Sequence, residues 1–170
     1  MFQKDDYVYY ASGGVCKVTD VCYAPLDGMP RDRQYYVMRS LHDPNGVIYV
    51  PVNNENVFLR PLLTKEQAEE LLDAIPTIGI IEEQNAKLLR GRYTEAMKTH
   101  APEEWVRVIK TVYQRMQALA AVSHTQRISD TERSFAEDAK RYLYAELSLA
   151  LNVPAKEMEA YIRSHVEKLA

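Results

Sequence analysis

The chain has few cysteines and no long apolar run. Only two of its 170 residues are cysteines, Cys16 and Cys22, and such sparse thiols fit a reducing compartment better than a disulfide-stabilised secreted fold. No apolar run reaches the roughly 18 residues of a membrane span, and no charged leader precedes an apolar core. We therefore expect a cytoplasmic protein.

An excess of positive charge is also missing. The formal net charge is −3. Residues 1–63 hold six basic and seven acidic side chains, and residues 64–170 hold 15 and 17. Neither half has the strong positive charge that marks many nucleic-acid-binding domains. Any contact with nucleic acid would therefore need a local basic patch.

Motifs for catalysis and for metal or nucleotide binding are absent as well. The four histidines have no second ligand at the spacing of a metal site, and no Gly-x-Ser-x-Gly motif provides a nucleophile. Gly13-Gly14 lacks the Gly-Lys-Ser/Thr ending of a phosphate loop and reads as a turn. The acidic pairs Glu82-Glu83 and Glu103-Glu104 are expected in first helical turns, where carboxylates offset the helix dipole. We predict no enzyme, no catalytic residue, no metal and no cofactor.

Short strands fill residues 1–63. The segments Tyr35–Leu41 and Val47–Pro51 are rich in β-branched and aromatic residues and flank a turn with Asn45-Gly46, which predicts a β-hairpin. Along Val15–Tyr23, alternation places Cys16, Val18 and Asp20 on one face. About five short strands in so few residues indicate a small barrel or strongly bent antiparallel sheet.

Residues 64–170 carry helical spacing. Thr64-Lys65-Glu66-Gln67 and Ser129-Asp130-Thr131-Glu132 are capping boxes, and Pro102 suits the first position of a helix. The spacing predicts one helix over 81–99 and another whose apolar stripe runs from Trp105 to Ala120. In all we expect five helices in a compact bundle. The predicted fold class is α+β, with a β module at 1–63 and a five-helix domain at 64–170.

A basic run on the second predicted helix has two interpretations. Lys87 and Arg90 share a face and Lys98 follows eight residues after Arg90, whereas Arg92 points elsewhere. Gly91 inside a helix costs about 1 kcal/mol relative to alanine, so it needs a reason. One interpretation is a solvated basic face with the glycine packed under the β module. The other is the close approach of another backbone or of a nucleic-acid strand.

Several segments together resemble the CarD family of bacterial RNA-polymerase-binding regulators. The resemblance spans essentially the whole chain and is more specific in residues 1–63 than afterwards. It rests on five segments: Phe2–Tyr10, Gly13–Val18, Tyr35–Met38, Tyr49–Asn54 and Arg90–Tyr93.

For the β module, the resemblance implies a Tudor-like fold that docks on the RNA polymerase β subunit, partly by pairing at a strand edge. Tyr49 stands where the family usually has an arginine. The docking residues it implies are Val47, Ile48, Tyr49, Val50 and Pro51.

For the helical domain, the resemblance implies contact with promoter double-stranded DNA at the upstream edge of the bubble, which shifts open-complex stability. The position of the family's tryptophan wedge falls on Leu89. The alternative is a polymerase-binding adaptor without productive DNA contact, which the leucine would allow. The DNA-binding residues it implies are Lys87, Leu89, Arg90, Arg92 and Lys98.

Overall fold

The computed structural model describes residues 1–170 and contains two units, Met1–Leu62 and Leu63–Ala170. The division lies one residue before the predicted boundary. Five strands belong to the first unit and five α-helices to the second, so the predicted α+β class is confirmed. The likeness of the sheet to a Tudor fold stays a prediction. No helix combines the length and apolar character needed to cross a membrane.

The first unit is one antiparallel sheet with the strand order β4-β3-β2-β1-β5. The predicted hairpin is confirmed, because β3 and β4 pair with Val37 opposite Tyr49. β4 and β5 are the two edges of the sheet. The strands are β1 Tyr7–Tyr10, β2 Gly14–Tyr23, β3 Gln34–Ser40, β4 Ile48–Pro51 and β5 Leu59–Pro61.

A bulge in β2 corrects the predicted alternation. The register between β2 and β3 shifts between Val18 and Asp20, and one extra residue in a strand moves every later side chain to the opposite face. Asp20 is consequently exposed, and Val21 packs against the core instead.

One face of the sheet carries a buried apolar cluster. Burial raises the pKa of the Cys16 thiol to about 11, so this thiol stays protonated and behaves as a small apolar side chain. Both cysteines are free thiols. The buried members of the cluster are Val8, Cys16, Val18, Tyr36, Met38 and Val50, and Tyr9, Val15 and Tyr35 are buried on the other face.

The second unit is built from five α-helices, and residues 75–85 form the longest connection between them. The first capping box is confirmed, since the Thr64 side chain accepts from the Gln67 amide and the Gln67 side chain accepts from Thr64 in return. Pro102 occupies the first turn of its helix, as predicted. The helices are α1 Lys65–Ala74, α2 Ala86–Lys98, α3 Pro102–Val122, α4 Asp130–Leu151 and α5 Met158–Leu169, with 3₁₀ turns at Ile75–Thr77 and Ala155–Glu157.

Trp105 lies at the centre of the helical core, fully buried, with its ring 5.8 Å from that of Tyr142. The apolar stripe predicted along α3 is correct around this residue but wrong for the end of the helix. Met116 is 44% exposed, and Ala120 is exposed as well. The C-terminal half of α3 therefore keeps an apolar flank in solvent.

Candidate functional site

The edge strand β4 has a partner on one side only. The Val52 amide donates to the Gln34 carbonyl at 2.9 Å, which fixes which residues of β4 bond to β3. Because hydrogen-bonded and non-hydrogen-bonded pairs alternate in an antiparallel ladder, Val50 and Ile48 bond to β3. The N–H and C=O of Tyr49, between them, point away from β3. They are the donor and acceptor that an added strand would use.

A proline ends this free edge. Pro51 occupies an outward position, where the missing N–H removes no bond to β3. Its carbonyl accepts from the Asn54 amide at 3.3 Å. The edge available to another strand is therefore short and consists of the outward backbone groups of Tyr49 and Val47.

The five residues predicted to dock lie together on this edge, but their side chains divide between two faces. Val50 is buried and Ile48 packs against the core, so these two side chains stabilise the sheet and do not face a partner. Tyr49 and Pro51 are half-buried, and Val47 is exposed. A partner strand would meet the backbone of β4 and the side chains of the last three.

Helix α2 begins later than predicted, at Ala86 rather than at residue 81. The Asn85 side chain caps it by accepting from the amides of Lys87 and Leu88. Glu82-Glu83 therefore precede the helix, and their predicted place in a first turn is wrong. The Glu83 carboxylate lies 3.6 Å from Arg92 Nε instead.

The other acidic pair behaves as expected. Glu103 and Glu104 lie in the first turn of α3, where their charge offsets the helix dipole.

Helix α2 is oriented about its own axis so that Leu89, the predicted wedge residue, points into the helical unit. Leu89 is only 2% exposed and belongs to the buried set with Tyr93 and Ala96. The expectation that Leu89 contacts DNA is therefore wrong for this fold. Its neighbour Leu88 is 57% exposed. Sequence reasoning missed Leu88 because two adjacent leucines fit the apolar stripe equally well until the start of the helix is known.

A buried polar contact fixes that rotation. The Tyr93 hydroxyl donates to Glu132 at 2.8 Å, and the same carboxylate accepts from Arg115 Nε. Burial and the bond to Glu132 raise the pKa of the Tyr93 hydroxyl. The group therefore stays a donor at neutral pH.

This contact also corrects the second capping box. The Ser129 side chain does accept from the Glu132 amide, but the Glu132 carboxylate turns inward to Arg115 and Tyr93. It accepts no hydrogen bond from the Ser129 N–H, which a complete capping box would require.

The basic residues of α2 lie on its exposed side. At about 100° per residue, Lys87, Gly91 and Lys98 fall opposite the buried face, while Arg90 and Arg92 flank them. All five are exposed. A Cβ atom built on Gly91 meets nothing within 4 Å. Packing within the helical unit therefore gives no reason for this glycine.

A metal site is not apparent in the structure. No group of three or more His, Cys, Asp or Glu side chains could hold an ion. The features that stand out are the open edge of β4 and the open basic face of α2.

The comparison with family models gives one match. Residues 2–63 match the CarD-like/TRCF RID domain, a domain that interacts with RNA polymerase. The match confirms the resemblance carried by the segments of residues 1–63. Residues 64–170 lie outside it, and no curated protein matches the chain.

Proposed function

We propose, from the premise that the chain is a CarD-like family member whose RID domain occupies residues 2–63, that it regulates transcription without catalysis of its own. The family assignment gives it RNA polymerase as a partner and a role in transcription. The finer proposal is that it docks on the β subunit, contacts promoter DNA at the upstream edge of the bubble and shifts open-complex stability. A bacterial cytoplasm is the setting that this partner implies.

The edge of β4 is the docking element in this proposal. A strand of the β subunit would pair with the outward N–H and C=O of Tyr49, extending the sheet by one strand. Val47 and Pro51 would contact the side chains of that strand. The observation that carries the proposal is the coincidence of the RID match with an unpaired edge at the predicted hairpin.

The open face of α2 is the DNA-contacting element. Lys87 and Lys98 would bind phosphates, and Gly91 between them would let a strand approach the helix backbone. Leu88, and not Leu89, is the apolar side chain that would enter a base step in this proposal. Only the solvent-facing leucine of the pair can reach a groove.

The adaptor alternative keeps polymerase docking and has no productive DNA contact. The burial of Leu89 favours the adaptor, because the residue at the wedge position does not face solvent. No aromatic side chain of α2 faces solvent either. The ion pair between Arg92 and Glu83 also favours it, because it partly neutralises one of the predicted phosphate-binding residues. The two proposals differ in DNA binding alone.

Two binding measurements test the proposal. The full chain should be captured by a fragment of the polymerase β subunit, and failure of capture contradicts the docking proposal. It should also bind a forked promoter fragment with an affinity that falls steeply with salt, because phosphate contacts release counterions. Capture without salt-dependent DNA binding favours the adaptor.

A further inference from the structure

The exposed flank of α3 carries a regular apolar stripe. Ile109, Tyr113, Met116 and Ala120 recur at spacings of four, three and four residues, the spacing of a helix–helix seam. Tyr113 is 61% exposed and Met116 is 44% exposed. From Ile109 to Ala120 the stripe covers 12 residues, a rise of about 16 Å along the helix. Its length therefore matches about three turns of a second helix.

A groove of about 330 Å³ lies at the end of this stripe, where α3 gives way to α4. Met116, Ala120 and Ile128 contribute apolar surface to its lining. This volume lies at the lower end of the range found for ligand-binding clefts. An apolar side chain of a docked helix could occupy it.

The polar lining of the groove is basic. Arg127 and Arg133 are both in the lining, and no carboxylate is. Asp130 is the acidic group near Arg133, at 3.9 Å and fully exposed, so this pair is weak. Both guanidinium groups therefore remain able to bind carboxylates of a partner, which arginine does with paired hydrogen bonds.

We propose that the α3 stripe and its basic groove bind an acidic amphipathic helix of a partner protein. The apolar face of the partner helix would cover Tyr113 and Met116 and place one large side chain in the groove. Its carboxylates would bind Arg127 and Arg133. This surface shares no residue with the β4 edge or the α2 face, so the inference does not rest on polymerase or DNA contact.

A nucleic acid fits this surface less well. A phosphate backbone would satisfy the two arginines but would leave the exposed tyrosine and methionine in contact with charge. A second copy of the chain is the other possible occupant, since a helix seam can pair with itself. Both are distinguishable outcomes of the test below.

The probe is a fluorescein-labelled helical peptide of about 15 residues, roughly four turns, with leucines at seam spacing and flanking glutamates. One control peptide replaces the glutamates by lysine and the other replaces the leucines by alanine. Fluorescence anisotropy with the full chain should show binding of the first peptide. Each control should bind at least about tenfold more weakly, a difference of about 1.4 kcal/mol.

Two neighbouring alanines provide matched variants. Ala120→Glu places a carboxylate in the groove, whereas Ala121→Glu makes the same change about 100° further around α3. Both positions are exposed, so both variants should fold, which circular dichroism checks. Ala120→Glu and Arg127→Glu should each weaken peptide binding at least about tenfold, and Ala121→Glu should leave it unchanged.

Four results would overturn the proposal. The acidic peptide could fail to bind at about 1 mM, or it could bind the Ala120→Glu variant as tightly as the unaltered chain. A duplex DNA whose binding is weakened by Ala120→Glu but not by Ala121→Glu would identify nucleic acid as the occupant. A dimer in sedimentation analysis that Ala120→Glu dissociates would identify a second copy.

Discussion

Replacing Gly91 by alanine should stabilise the helical unit. Gly91 lies inside α2, where glycine costs about 1 kcal/mol relative to alanine. The added methyl group meets no atom within 4 Å, so no clash offsets the gain. The free energy of unfolding should rise by about 1 kcal/mol, which corresponds to about 4 °C in Tm for a unit of this size.

The same substitution should weaken DNA binding if a strand approaches the backbone of α2. A methyl group at the point of closest approach would displace that strand from Lys87 and Lys98. A cost of about 1 kcal/mol corresponds to about fivefold in affinity. Gly91→Ala would therefore be a more stable protein with poorer function, a combination that loss of folding cannot produce.

The assay pairs thermal unfolding with anisotropy on a forked promoter fragment, using the full chain. Gly79→Ala is the matched control, because a Cβ there also meets nothing within 4 Å but the residue precedes α2. It should leave DNA affinity unchanged. If Gly91→Ala raises the free energy of unfolding and leaves DNA affinity unchanged, no DNA strand approaches this helix. That result would support the adaptor proposal. If it lowers stability, the exposed place of Gly91 in α2 is itself refuted.

Three further predictions concern charge and the strand edge. Arg90→Glu should weaken promoter binding and leave capture by a β-subunit fragment intact; equal loss of both, or loss of neither, contradicts the assignment. Tyr49→Glu should do the reverse, because it alters the edge strand, and circular dichroism must show that the variant is folded. Glu132→Gln should lower the free energy of unfolding by about 1–3 kcal/mol, since the buried carboxylate accepts bonds from Tyr93 and Arg115. Glu137→Gln, on the exposed side of the same helix, should change it by less than about 0.5 kcal/mol; similar losses in denaturant unfolding would contradict a special role for Glu132.

Local signals in the sequence predicted several elements well. The Asn45-Gly46 signal between two β-rich segments predicted the β3–β4 hairpin, although the loop spans residues 41–47 and its turn runs from Asp43 to Gly46. Thr64 and Gln67 marked the start of α1, because a capping box acts within four residues. Each of these features depends on neighbours in the chain.

Features that depend on distant residues were not predictable in this way. The bulge after Val18 could not be seen, since the alternation on both sides of it looks regular. Glu132 has the spacing of a capping box, but Arg115, 17 residues earlier, draws its carboxylate inward. The late start of α2 then decided which of two adjacent leucines faces solvent.

The candidate site was therefore only partly predictable. The sequence could place the docking residues on one hairpin strand, but not on an edge of the sheet, which depends on the pairing of all five strands. It could identify the basic run of α2, but not the burial of Leu89. The resemblance to the CarD family supplied the choice of partner, which no physical pattern in the sequence contained.

Amide exchange at the β4 edge tests the central claim most directly. In the free chain the outward N–H of Tyr49 has no partner on β3, whereas that of Val50 is bonded. Exchange followed by NMR, with and without a β-subunit fragment, should show strong new protection of the Tyr49 amide. The outward amide of Leu59, on the opposite edge of the sheet, should not change. Protection at Leu59 with none at Tyr49, or binding of the fragment with no change at either edge, would contradict docking through β4.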